Sequence, residues 1–265
     1  MRLTKIIIYP IKSLGSVELD FALIDDFGLQ YDRRWMLINR EGKALTQREL
    51  PELSLLNVVL DDDQIIVTHK VDETLQINVP LTISDGEKMN VKIWEDECIA
   101  LKAESSINEQ FTKKLGMNVS LVYLPDANGR IVNTQYANKQ EITSFTDGFP
   151  VLIIGEESLN LLNSKLEEKV TMNRFRPNLV FSGEVAHCED EFKIFRIGNA
   201  YFKAVKPCSR CVVTNINPST SSKGVEPLKT LNTYRNFNNK VMFGMNILVQ
   251  SGKVVRVGDK LELVG

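Results

Sequence analysis

Leu53-Ser54-Leu55-Leu56-Asn57-Val58-Val59-Leu60-Asp61-Asp62-Asp63-Gln64-Ile65-Ile66-Val67-Thr68 contains two β-prone runs, 53–60 and 65–68, joined by a short acidic turn. This pattern predicts an antiparallel hairpin. On either side, further β-type runs fall at 5–9, 17–24, 35–39, 75–79 and 89–94, separated by turn signals such as Arg40-Glu41-Gly42-Lys43 and Ser84-Asp85-Gly86. The first hundred residues therefore read as a small β barrel or sandwich. The period then changes. Ile107, Phe111 and Leu115 are four apart, behind Ser106 and Glu109 at capping-box spacing and ahead of Gly116, which predicts a helix. A domain boundary is placed there, giving 1–104 and 105–265.

The second part mixes elements. A strand is expected at 119–124, then a polar stretch at 126–141 that reads as a surface loop or lid and the expected place for substrate or partner specificity. A buried run at 151–154 leads into a helix from about Glu156, with Leu159, Leu162 and Leu166 on one face. Strands follow at 179–182, 192–197, 200–205, 211–216, 243–249, 254–257 and 260–264, with a short helix at 227–234. Helices do not alternate with strands, which disfavours a parallel doubly wound sheet. The fold class is mainly β with a few helices (α+β).

The chain has 265 residues, 43% of them hydrophobic and 25% charged, ordinary values for globular domains that exclude disorder and coiled coil. Lys and Arg number 32 against 34 Asp and Glu, a net charge of −2, without the basic excess of proteins that bind nucleic acid polymers. The apolar run at 6–9 is cut by Pro10 and Lys12, and no run approaches the length of a membrane span, so the expectation is a cytoplasmic protein without a membrane partner. Cys98, Cys188, Cys208 and Cys211 are too unevenly spaced for a disulfide framework and are expected to be thiols.

Lys206-Pro207-Cys208-Ser209-Arg210-Cys211 is the most informative string for chemistry, because two thiols three apart can share a metal. Alternatives remain at this level: two buried apolar thiols, or a structural zinc held by His187, Cys188, Cys208 and Cys211. A thioredoxin-like reading is disfavoured by the β-type run at 212–214. Arg174-Phe175-Arg176-Pro177-Asn178 places guanidinium groups beside a proline-fixed turn, suited to bidentate phosphate binding. Two histidines, His69 and His187, leave little material for imidazole catalysis, and no glycine-rich nucleotide loop or nucleophile elbow is present.

Taken in order, Tyr9-Pro10-Ile11-Lys12-Ser13, Asp32-Arg33-Arg34-Trp35, Thr146-Asp147-Gly148-Phe149-Pro150, Asn173-Arg174-Phe175-Arg176-Pro177-Asn178 and Pro207-Cys208-Ser209-Arg210-Cys211 resemble the MOSC family. The branch is the one with an N-terminal β-barrel domain, which includes amidoxime-reducing components. The resemblance covers essentially the whole chain and implies an N-terminal barrel followed by a MOSC β-barrel domain. It implies a molybdenum cofactor (Mo-pterin) with Cys211 as the protein ligand to the metal and the catalytic thiolate. It further implies cofactor contacts from Lys12, Ser13, Arg33, Asp147, Gly148, Arg176, Asn178, Ser209 and Arg210. A soft thiolate suits a sulfur-bound molybdenum, and Arg210 is expected to favour the thiolate of Cys211. The implied reaction reduces small N-hydroxylated compounds such as amidoximes, hydroxylamines and N-hydroxylated nucleobases. Electrons would come from a separate donor protein of ferredoxin, flavodoxin or cytochrome/reductase type. The competing implication is a cofactor carrier or sulfur-handling protein without turnover. A pyridoxal phosphate label attaches to the family through its sulfurase members, and no residue here argues for a Schiff-base lysine.

Overall fold

The computed structural model describes residues 1–137, 141–183 and 185–264. Strand Leu56–Leu60 turns through 61–63 into Gln64–His69, pairing Leu60 with Ile65, and Gln76–Pro80 adds a third antiparallel strand. Alternation explains the sheet: Val58, Ile65, Val67, Ile77 and Val79 point into a core shared with Phe111 of helix Ser105–Leu115. Residues 53–55, expected to open the strand, lie instead in the 3-10 turn Pro51–Leu55 led by the proline. The helix ends at Gly116 (φ 64°), the left-handed stop the sequence predicts, but its N-terminal flank is Glu104 and no side chain caps it. The capping box is absent because the helix begins two residues earlier than that spacing requires.

A nine-stranded sheet dominates the molecule. Its order is Val17–Leu19, Arg2–Ile8, Leu179–Ser182, Val151–Gly155, Lys240–Ser251, Ala200–Ser209, Ile194–Ile197 and Leu261–Leu263, with Asn236–Phe237 joined to Lys240–Ser251. Only Val151–Gly155 with Leu179–Ser182 is parallel among these pairings. A four-stranded sheet runs Trp35–Ile38, Ser120–Tyr123, Asp96–Lys102 and Lys88–Ile93. Residues from both sides of position 104 thus share two sheets, and Val254–Arg256 also pairs with Phe21–Asp25.

Three further expectations are corrected. The run 17–24 is two strands that break at Asp20 and enter different sheets, since Val17–Leu19 pairs with the first strand and Phe21–Asp25 with Val254–Arg256. The stretch 126–141, of which 138–140 lie outside the described residues, is not a free loop. Arg130–Ile131 pairs with Ile142–Thr143, and buried Val132 and Ala137 pack on Leu248. Finally, 211–216 is not a strand: Val212–Asn215 forms a 3-10 turn with Cys211 as its flanking residue.

Candidate functional site

A cavity of about 330 Å³ collects the ends of several of these strands. The turn after Arg2–Ile8 brings Lys12 and Ser13, and the turn before Trp35–Ile38 brings Arg33. The residues before Val151–Gly155 bring Asp147 and Gly148, those before Leu179–Ser182 bring Arg176 and Asn178, and the end of Ala200–Ser209 brings Ser209, Arg210 and Cys211. All ten residues singled out from the sequence line this one cavity.

Tyr9 is the hub. Its ring is fully buried and lies under two guanidinium groups, Arg33 at 4.3 Å and Arg176 at 4.0 Å from the centroid. Its hydroxyl donates to the Pro177 carbonyl at 3.1 Å, and burial pushes its pKa up to about 12, so it stays neutral. Arg33 is tied down: one nitrogen donates to Asp32 Oδ2 at 2.5 Å and to Asn178 Oδ1 at 3.1 Å. Asp32 in turn accepts the Tyr9 backbone N–H at 2.8 Å. Arg176 has no carboxylate partner among the described residues. It donates to the Leu14 carbonyl at 2.8 Å, and burial, with Arg33 nearby, lowers its pKa to about 10, which still leaves it charged at neutral pH.

Lys12 Nζ donates to Asp147 Oδ1 at 2.6 Å and to the Phe145 carbonyl at 2.8 Å. Burial lowers its pKa and Asp147 works against that. Although protein surrounds Asp147, the open cavity leaves its side chain 71% accessible. Desolvation raises its pKa, yet the stronger combined pull of Lys12, Trp94 and Arg33 leaves it well below the usual carboxylate range.

Backbone strain marks the same place. Ser13 (φ 70°), Arg33 (φ 50°), Arg176 (φ 53°) and Trp94 (φ 57°) are all left-handed, and all line the cavity. Side chains at these positions are aimed from a backbone that costs energy to hold.

The thiols differ from the expectation in one respect. Arg210 Nη1 donates to Cys208 Sγ at 3.0 Å, so its sulfur partner is Cys208, not Cys211; Nη2 donates to the Phe175 carbonyl at 2.5 Å. Cys211 is exposed at the cavity wall. Asn178 lines the cavity but is buried, and its amide is used internally. Its oxygen accepts from Arg33 and the Leu152 N–H, and its nitrogen donates to the Ile7 carbonyl. Gly148 faces open space.

His187 and Cys188 do not join Cys208 and Cys211 on the cavity wall. His187 packs instead against Tyr234 and Phe243, and no group of three His, Cys, Asp or Glu residues among the described residues is arranged to hold a metal ion. Sequence reasoning missed Arg48 and Trp94. The available signal was a tryptophan at a hairpin tip, Trp94-Glu95, in a chain with only two tryptophans.

Residues 140–262 match the MOSC domain and residues 1–118 the MOSC N-terminal beta barrel domain. The chain is 30% identical to mitochondrial amidoxime-reducing component 1 of Mus musculus, over 97% of this chain and 81% of that protein. The chain belongs to the MOSC family. Its human counterpart among these relatives, mitochondrial amidoxime-reducing component 1 of Homo sapiens, is also 30% identical over the same shares. The molybdenum cofactor sulfurase of Oryza sativa subsp. japonica is 29% identical over 92% of this chain but only 32% of its own length. No helix among the described residues of this MOSC chain is long and apolar enough to cross a membrane.

The donor set of the MOSC cavity fits an anionic, thiolate-bound cofactor. Arg176 is a half-buried cation with no carboxylate within ion-pair distance among the described residues, and the Arg210 Nε is buried without a hydrogen-bond partner. Such orphaned donors are costly unless a ligand satisfies them. The exposed Cys211 thiol shares their wall.

Proposed function

We propose that the chain is a molybdenum-cofactor-dependent reductase of N-hydroxylated compounds, including amidoximes, hydroxylamines and N-hydroxylated nucleobases. The observation that carries this reading is an exposed thiol, Cys211, on the wall of a cavity where Arg176 has no carboxylate within ion-pair distance among the described residues. The names of the amidoxime-reducing relatives supply the reaction class. In this reading Cys211 is the protein ligand to molybdenum. Arg176 and Lys12, with Ser13 and Arg33, hold the cofactor's phosphate, while Asp147, Gly148, Ser209 and Arg210 contact the pterin. Asn178 acts one step back, through Arg33.

When bound, the cofactor supplies the two-electron change that breaks the N–O bond, with two protons consumed and water released. The protein's own residues bind and orient. Arg33 is locked by Asp32 and Lys12 by Asp147, so both cations are preorganised. Electrons come from a separate donor protein, and the enzyme works in the cytoplasm on small substrates. We read its division as an N-terminal barrel domain, 1–104, and a MOSC domain, 105–265, which exchange strands: Arg2–Ile8 joins the large sheet and Ser120–Tyr123 the four-stranded one.

The sulfurase relatives favour one other reading, a carrier or sulfur-handling protein that binds the cofactor without turning over such substrates. The test is metal analysis of the protein and of Cys211→Ser, both from a host that makes the cofactor, followed by turnover of an amidoxime with a chemical reductant. Near-stoichiometric molybdenum in the wild type, lost in the variant, together with turnover is the expected result. Molybdenum without turnover would favour the carrier, and zinc in place of molybdenum would overturn both.

A further inference from the structure

The cavity holds more positive charge than one cofactor phosphate can use. Lys12 and Arg33 have carboxylate partners, but Arg48, Arg174, Arg176, Lys206 and Arg210 have none within ion-pair distance among the described residues. Arg176 and Arg210 belong to the cofactor reading above. Arg48 differs from them in the ring it meets: its guanidinium lies 4.4 Å from the centroid of Trp94, which is 49% exposed, whereas Arg176 lies over the buried Tyr9.

Trp94 is an unusual residue to find there. Its side chain is large, its backbone is left-handed at φ 57°, and it is 49% exposed although a hairpin tip could be closed by glycine without strain. Its indole is not free to swing, since Nε1 donates to Asp147 Oδ1 at 3.3 Å, the same oxygen that holds Lys12. A half-exposed aromatic plane is thus fixed at the cavity beside an unpaired arginine. An aromatic plane takes up flat heteroaromatic rings, and an unpaired guanidinium takes up phosphate.

We propose that Trp94 and Arg48 form a substrate subsite for flat N-hydroxylated bases that carry a phosphate, that is, N-hydroxylated nucleotides in preference to the free bases and nucleosides. The proposal rests on the reductase reading and narrows its substrate class. Trp94 sets the preference for a planar ring and Arg48 the preference for an anion, with Lys206 and Arg174 adding to the positive field at the same cavity.

The experiment compares an N-hydroxylated nucleoside with its 5′-monophosphate in two ways. Binding is read from tryptophan fluorescence. Trp35 is fully buried, so quenching reports on Trp94, and Trp94→Phe should abolish the signal while keeping a ring. Turnover of both compounds is measured on the molybdenum-loaded protein with a chemical reductant. The monophosphate should show a kcat/KM about tenfold above the nucleoside, the scale of one charge-assisted contact, and Arg48→Ala should bring that ratio near one. Trp94→Ala, which has no reporting indole, should raise the KM of both compounds. Equal binding and equal kcat/KM in the wild type, or a ratio that Arg48→Ala leaves intact, would overturn the subsite.

A small uncharged amidoxime, run on the wild type, separates this proposal from the one it rests on. Turnover of the amidoxime with no preference for the monophosphate sinks the subsite alone. No turnover of any compound sinks the reductase, and the fluorescence comparison then still decides whether Arg48 and Trp94 select a phosphorylated ring.

Discussion

Two groups of polar residues are buried in this protein, and they are built on opposite principles. Around Glu189, which is fully buried, every contact turns inward. Ser158 Oγ donates to both carboxylate oxygens at 2.8 and 3.0 Å, the Gly155 N–H donates at 3.3 Å, and the His187 N–H donates to Ser158 Oγ at 2.8 Å. Nearby, Arg235 pairs with Asp190 at 2.7 Å. Around Tyr9, by contrast, Arg33 and Arg176 crowd one ring, Asp32 pairs with Arg33, and Arg176 has no carboxylate within ion-pair distance among the described residues. The first group ties segments of the large sheet together. The second holds charge that the fold does not neutralise, and an excess of buried charge opposes folding unless a ligand answers it.

The largest expected effect tests that contrast directly. Glu189→Ala strips Ser158 and Gly155 of their buried acceptor and should cost about 3 kcal/mol, the sum of a few lost or orphaned hydrogen bonds. Arg176→Ala in protein without cofactor should cost less, about 1 kcal/mol, because the Leu14 carbonyl loses a donor and Tyr9 a stacked guanidinium while a cation without an ion-pair partner is removed. Urea unfolding of both variants measures this. Equal losses would mean that the cationic cluster is as structural as the carboxylate one.

A smaller effect lies in the pH dependence of the inward-tied group. Burial, with Arg235 adding to it, lowers the His187 pKa from 6.5 to about 4. The folded protein therefore resists protonation at His187 where the unfolded chain accepts it. Stability from this group is full above the unfolded pKa and falls as pH drops from about 6.5 toward 4. Glu189 acts with the opposite sign, since burial raises its pKa and protonation favours the folded state. Melting temperatures of the wild type and His187→Phe across this range separate the two. The difference between them should shrink as pH falls, and a constant difference would show that His187 does not titrate with folding.

What the sequence shows of these two groups is unequal for a physical reason. The cavity residues sit in short strings where proline, aspartate and arginine cluster at strand ends, so Lys12, Arg33, Arg176 and Cys211 could be picked out and the cavity brings them together. The hairpin at 56–69 was equally legible, because alternation and an acidic turn are local signals. Glu189 and Ser158 were not, since each looks like an ordinary surface residue and only the packing of 155–158 against 188–191 buries them. The left-handed backbones at Ser13, Arg33, Trp94 and Arg176 carry no residue preference that could reveal them. The exchange between parts of the chain was hidden too: residues 2–8 read as the opening of a first barrel, yet their partner at 179–182 is set by long-range pairing.

The smallest effect concerns the thiol that is not proposed as a ligand. Cys208 packs against the cluster containing Phe175 and Phe243, and its sulfur accepts from Arg210. Cys208→Ser keeps an acceptor in place, whereas Cys208→Ala leaves Arg210 Nη1 without one beside an Nε that already lacks a partner. The alanine variant should be less stable than the serine variant by about 1 kcal/mol, the worth of one such hydrogen bond. Molybdenum content should be retained in both, in contrast to Cys211→Ser. The two cysteines would then divide as the two polar groups do, Cys208 serving the fold through Arg210 and Cys211 facing the cavity. Loss of molybdenum from Cys208→Ser to the same degree as from Cys211→Ser would erase that division and make the pair a joint metal-binding unit.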